Sequence, residues 1–212
     1  MEVTITSYCK IKNNSVWING NEMLIDHKSN ELTSFLTYLY KQINLSYSKF
    51  FKMDNLCKLG VLAAELAIRN NSKFAEQEKD KVAIFLSNNS SSIDTDRNHL
   101  KTIIDKSRYF TSPAIFVYTL ANIVVGEIAI KHKLKGENVF FVTETFDETL
   151  MHTYASIALQ SNHTTNALCG WINVDGNNYE AFVYCVEKTN FNGNEKCFNV
   201  PHNTKVISQL YN

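Results

Sequence analysis

Residues 3–11 alternate apolar and polar side chains with the two-residue period of a half-buried strand. Asn19-Gly20, between the apolar stretches 16–18 and 23–25, is a hairpin turn signal. The pattern then lengthens to a helical period over 31–44. It is clearest over 54–70, where Leu56, Leu59, Leu62, Ala63, Leu66 and Ala67 share a face and Asp54 stands at the start as a capping acid. Residues 82–86 are continuously apolar over strand length, as suits a strand buried on both sides, and the polar turn SNNSSS follows. A helix is expected over 95–106, and Pro113 separates it from an apolar helix over 120–131. Gly136 breaks the chain before a strand at 139–143, and Asp147 and Glu148 open a helix that runs to about Gln160. Strands at 167–173 and 179–187 meet at a turn around Asp175-Gly176-Asn177. Helices alternating with buried strands predict an α/β sandwich around a mixed, five-stranded sheet.

Composition narrows the function classes. Of 212 residues, 44% are apolar and 20% charged, enough to bury the core of one domain. The 21 basic and 21 acidic residues cancel, so no single-sign field favours nucleic acid or an anionic membrane. The N-terminal residues lack the charge and apolar run of a secretory signal, and no apolar stretch is long enough to span a bilayer. A cytoplasmic protein is therefore expected. The five cysteines, Cys9, Cys57, Cys169, Cys185 and Cys197, have neither C-x-x-C nor zinc-ligand spacing, which implies reduced, mostly buried thiols and no metal.

Three segments carry a resemblance: FFKMDNLCKLGVLAAELA, SPAIFVYTLANIVVGEIAIKHKLKGENVFFVTETFD and ALCGWINVDGNNYEAFVYCVEK. In this order and at these separations they resemble the N-terminal half of the β-ketoacyl synthases, members of the thiolase-like superfamily. The resemblance runs from Val3 to Lys188, which gives a synthase-like N-terminal domain over 1–190 and a C-terminal tail over 191–212 with no family counterpart. In the family pattern a strand leads into Thr-Ala-Cys, whose cysteine accepts the acyl group. Here Thr143 falls on that threonine, Glu144 on the alanine and Thr145 on the cysteine. A threonine hydroxyl is far less acidic than a thiol and needs a neighbouring base. Glu144 and Asp147 add negative charge that disfavours an anionic nucleophile.

The family's two catalytic histidines belong to its C-terminal half. His99, His132, His152, His163 and His202 match neither and read as surface or helix-face residues. The resemblance therefore implies a non-catalytic subunit of the chain-length-factor type, without cofactor. It would pair with a full-length β-ketoacyl-ACP synthase, or with itself, and meet acyl carrier protein through the complex. Pathways of polyketide, aryl-polyene or fatty-acid type fit that role. By similarity, Ile115, Phe116 and Tyr118 approach the partner's acyl tunnel, and Val139, Phe140, Phe141, Val142 and Thr143 form the dimer interface. The apolar surface of the helix after Thr145 needs a cover. The alternatives are a carrier-binding or structural homodimer, or an acyltransferase or hydrolase using Thr145 or, less readily, Cys169.

Overall fold

The computed structural model describes residues 2–71, 74, 77–104, 112–161, 163–189 and 198–212. Its strands are β1 (Glu2–Lys12), β2 (Ser15–Ile18), β3 (Asn21–Met23), β4 (Val82–Asn88), β5 (Asn138–Val142), β6 (Asn166–Asp175), β7 (Asn178–Thr189) and β8 (Val200–Pro201). They form one sheet of order β3-β2-β1-β7-β6-β4-β5, with β8 paired to β1. β4 is parallel to β5 and β6, and the remaining pairs are antiparallel. The five strands expected from the sequence are the contiguous block β1-β7-β6-β4-β5. The β2–β3 hairpin and β8 enlarge the sheet to eight strands, both pairing with β1.

Each face of the sheet buries its own core. On the first lie α1 (Leu32–Gln42), α2 (Asn55–Arg69) and α5 (Ile123–His132), and on the second α6 (Glu148–Gln160) and α7 (Thr204–Tyr211). Strand alternation distributes side chains between the two. In β4, Val82, Ile84 and Leu86 join the first core while Ala83 and Phe85 join the second. Burial on both sides is why 82–86 reads as an unbroken apolar run.

In β1 the register against β7 shifts between Ile5 and Ser7. The extra residue, Thr6, inverts the alternation, so Val3, Ile5 and Tyr8 all face the second core while Cys9 and Ile11 face the first. A Cβ on Gly60 of α2 would overlap Val124 of α5 and sit 3.0 Å from Ile172 of β6, so glycine permits this close crossing.

The capping acids act as expected. Asp54 accepts a hydrogen bond from the Cys57 N–H at 2.9 Å and Asp147 from the Leu150 N–H at 2.8 Å. Two expectations are corrected. Pro113 does not merely separate helices: it occupies the first position of the short helix α4 (Pro113–Phe116), where its missing N–H costs nothing, and a 3₁₀ turn (Val117–Thr119) follows. That leaves α5 to begin at Ile123 rather than Leu120. The helix expected at 95–106 is α3 (Ile93–Ile103), and the end of the expected range lies outside the described residues.

Within 198–212, β8 pairs with β1 through Thr4↔Pro201 and Ile5↔Val200, and α7 buries Ile207 completely in the second core. Cys9, Cys57, Cys169 and Cys185 are buried free thiols, whereas Cys197 lies outside the described residues. Among the described residues no single helix is long and apolar enough to cross a membrane. The bent pair Pro113–Thr119 and Ile123–His132 passes by length and composition only together, across a 101° break.

Candidate functional site

The strand-to-helix elbow between β5 and α6 carries Thr145 on the surface, two residues ahead of the cap Asp147. Backbone bonds fix the elbow. The Thr143 N–H donates to the Asn88 carbonyl at 2.8 Å, and the Thr143 hydroxyl donates to the Thr145 carbonyl at 2.9 Å. Phe146 turns inward, its ring in contact with Trp171, Phe182 and Tyr211. Residues 143–149 line an open surface depression of about 340 Å³. Its lining includes Glu144, Asp147 and Glu148 beside the hydroxyls of Thr143, Thr145 and Thr149, so Thr145 shares the depression with three carboxylates. Among the described residues no imidazole or amine bonds to the Thr145 hydroxyl. Cys169 is fully buried, and burial pushes its thiol well above the ordinary range, so it has neither access nor thiolate character.

A second feature is the platform formed by α4 and the turn after it. Phe116 is 56% exposed and its ring centroid lies 5.6 Å from that of His99, while Val117 and Leu120 are exposed beside it. Ile115 is half-buried. Tyr118, grouped with them from the sequence, points the other way. It is buried, and its hydroxyl donates to Glu127 Oε1 at 3.1 Å. The second Glu127 oxygen pairs with Lys49 Nζ at 2.7 Å. Burial, followed by the Glu127 charge, pushes the Tyr118 phenol up. Nearby, Thr95 of α3 donates to Asp54 Oδ2 at 2.7 Å, and Ser92 donates to the Thr119 carbonyl at 2.7 Å. Burial pushes the Asp54 carboxyl up, against the hydrogen bonds from Thr95 and Cys57. These buried polar links join the platform to α2, α3 and α5.

The third feature is β5, the outermost strand at its end of the sheet, which among the described residues pairs on its β4 side alone. Val139, Phe140 and Phe141 are half-buried and Val142 is 57% exposed. Phe141 packs on Tyr154 of α6 at 4.6 Å, and Ile157 of the same helix is 62% exposed. Thr143 follows the strand at the elbow. An edge of this length with apolar side chains presents unpaired backbone groups to another chain.

No protein-family model matches the sequence, and no curated protein matches it. Solved structures do match. The ishigamide ketosynthase/chain length factor superposes with a TM-score of 0.65 at 14% identity, over 89% of this chain and 63% of that one. The fold is ketosynthase-like. A ketosynthase (ApeO) in complex with its chain length factor (ApeC) from Xenorhabdus doucetiae gives 0.55 at 14% identity, over 89% of this chain and 80% of that one. A β-ketoacyl synthase from Burkholderia phymatum STM815 gives 0.59 at 11% identity, over 89% and 59%. This chain thus spans about 63% of the length of the ishigamide protein it matches. The thiolase-like architecture expected from the three sequence segments is the architecture observed.

Sequence reading missed the support behind the elbow. The Tyr211 ring of α7 packs at a tilt against Phe146, centroids 4.5 Å apart, and its hydroxyl donates to Glu180 Oε1 at 2.7 Å, while Lys10 Nζ donates to the Tyr211 carbonyl at 2.5 Å. The signal was present: Asn203 caps a stretch with Val206, Ile207, Leu210 and Tyr211 at helical spacing. His202 and His132, read as surface or helix-face residues, are both largely buried.

Proposed function

We propose that this chain is a non-catalytic ketosynthase-like subunit that pairs with a β-ketoacyl synthase and helps to shape its acyl tunnel, in the manner of a chain length factor. What supports the reading is Thr145, which the sequence resemblance sets at the position of the synthases' nucleophilic cysteine and which shares its surface depression with Glu144, Asp147 and Glu148. Claisen condensation runs through an acyl-thioester on that cysteine. A threonine without a base at hand does not supply it. Two of the matched structures are described as a ketosynthase with its chain length factor, which supports the same role here.

In this reading β5, from Val139 to Val142 and continuing to Thr143, faces the partner, and Phe116 with Ile115 meets the acyl chain. Tyr118 acts from within by holding the platform. Acyl carrier protein docks on the complex, and the products are polyketide, aryl-polyene or fatty-acid-like chains. Residues 1–190 form the synthase-like domain in this proposal, with 191–212 appended to it. The reading is tested by reconstituting carrier-bound product synthesis with a ketosynthase from the same genome. Phe116→Ala lengthens the products and Phe116→Trp shortens them. An unchanged product distribution in both variants contradicts the tunnel role. The open edge of β5 also fits a second copy of this chain, so a carrier-binding homodimer is the alternative.

A further inference from the structure

The C-terminal strand and helix are fastened over the second core by an unusual contact. His202, directly after β8, is 6% exposed, and among the described residues neither of its ring nitrogens has a hydrogen-bond partner. Its ring lies 5.0 Å from that of His152 on α6 and 6.0 Å from that of Tyr184 on β7. From β1 it is met by the Val3 carbonyl, which accepts its backbone N–H at 3.0 Å. Cys169, which pairs with Tyr184 across the β6–β7 ladder, is the neighbouring titratable group in the sheet. Glu148 and Lys205, of opposite sign, stand in the groove between the N-terminal turns of α6 and α7. Two imidazoles therefore face each other: His152 on the body of the domain, half-buried and with its Nε2 3.4 Å from the Ser156 hydroxyl, and the buried, unpartnered His202 on the segment that closes it.

We infer that residues 198–212 form a proton-released strap, in which protonation of the buried His202, whose ring faces that of His152, frees β8 and α7 from the second core. A neutral imidazole is tolerated in this setting, but among the described residues no carboxylate pairs with the His202 ring to offset the desolvation of a buried imidazolium. Burial first, and then the proximity of His152, hold His202 down to about 3 in the docked state. An undocked His202 titrates near 6.5. The docked form is thus favoured in full above about pH 6.5, and its advantage declines as pH falls from there toward 3.

The strap's hydrogen bond from Tyr211 to the Glu180 carboxylate stays in place over the upper part of that range. Burial raises the Glu180 carboxyl, but hydrogen bonds from Lys12, Tyr211 and Trp171 and the Lys12 charge outweigh it and hold the carboxyl below its usual value. Release would withdraw Tyr211 from Phe146 and so loosen the elbow that carries Thr145.

Hydrogen exchange of the full chain tests this, with protection factors corrected for intrinsic rates. Between pH 7.5 and 5.0 the docking equilibrium for 203–211 should fall about 30-fold relative to β4 amides, from one group titrating at 6.5 when free. His202→Phe should flatten that dependence. Titration of the wild-type His202 ring by NMR keeps the test independent of whether the variant docks the strap. No protonation near pH 6.5 is expected while the strap amides remain protected. Protection that stays constant, or that falls in parallel with β4, overturns the inference. So does His202→Phe retaining the full dependence, or His202 titrating near 6.5 with the strap still docked.

Discussion

The ion pair beneath the Phe116 platform makes an asymmetric prediction. Glu127 is 2% exposed and its two oxygens are served by Tyr118 and Lys49, whereas the Lys49 side chain is 41% exposed. Removing the buried partner leaves a lysine that turns to water. Removing the exposed partner leaves a carboxylate locked in the core with one donor. Glu127→Gln keeps the Tyr118 bond and abolishes the buried charge, so its cost should be small, about 1 kcal/mol. Lys49→Met strands the carboxylate. Breaking a fully buried pair costs about 3–5 kcal/mol, and access of water to the lysine end reduces this to about 2–3 kcal/mol.

In the double variant the stranded charge is gone, and the cost should fall back to about 1 kcal/mol, a coupling of about 2 kcal/mol. Urea unfolding followed by the fluorescence of Trp17 and Trp171 measures all four proteins. The slopes should be unchanged, so that midpoints report stability directly. Lys49→Met no more destabilising than Glu127→Gln, or additive costs in the double variant, would refute the claim that Glu127 is buried as a charge and held by Lys49.

Ile207→Ala empties a fully buried site in the second core and should cost about 2–4 kcal/mol in the same urea assay. Gly60→Val places a side chain where α2 meets Val124 and Ile172, and soluble, cooperatively unfolding protein should be lost. Thr145→Cys should not yield an activated thiol, since Glu144, Asp147 and Glu148 oppose the thiolate. Its alkylation by iodoacetamide, mapped by mass spectrometry, should run no faster than that of free cysteine at pH 7. His132 is held down to about 4, by burial first and then by Lys131 and other cations, against the pull of Glu65. The native value lies below the unfolded one of about 6.5, so this group's contribution is complete above pH 6.5 and is lost as pH falls toward 4, on the order of 3 kcal/mol in all. His132→Gln should remove that part of the pH dependence of the urea midpoint.

Which parts of this molecule were legible in the sequence follows from how local their causes are. The strands β4, β6 and β7 and the helix α2 announce themselves because both of their sides, or nearly all of their length, are buried, and apolar residues fill most of those positions. The elbow was legible because Asp147 caps α6 by a bond three residues long. The placement of Tyr118 was not. Its neighbours Ile115 and Phe116 look equally apolar, and what turns Tyr118 inward is Glu127, nine residues on, together with Lys49 from a distant turn. The role of 198–212 was hidden for the same reason: its partners Lys10, Phe146 and Glu180 are spread over the chain and meet only through the sheet order. The short helix α4 was missed because a proline reads as a break unless its position within a helix is known.

The pairing through β5 is the central claim, and light scattering on this chain co-purified with each ketosynthase of its own genome tests it most directly. The account predicts a mixed complex with one synthase, dissociated by Val142→Lys at the exposed edge while the isolated variant keeps its fold. A chain that remains a monomer with every synthase, or a mixed complex untouched by that charge, would contradict it.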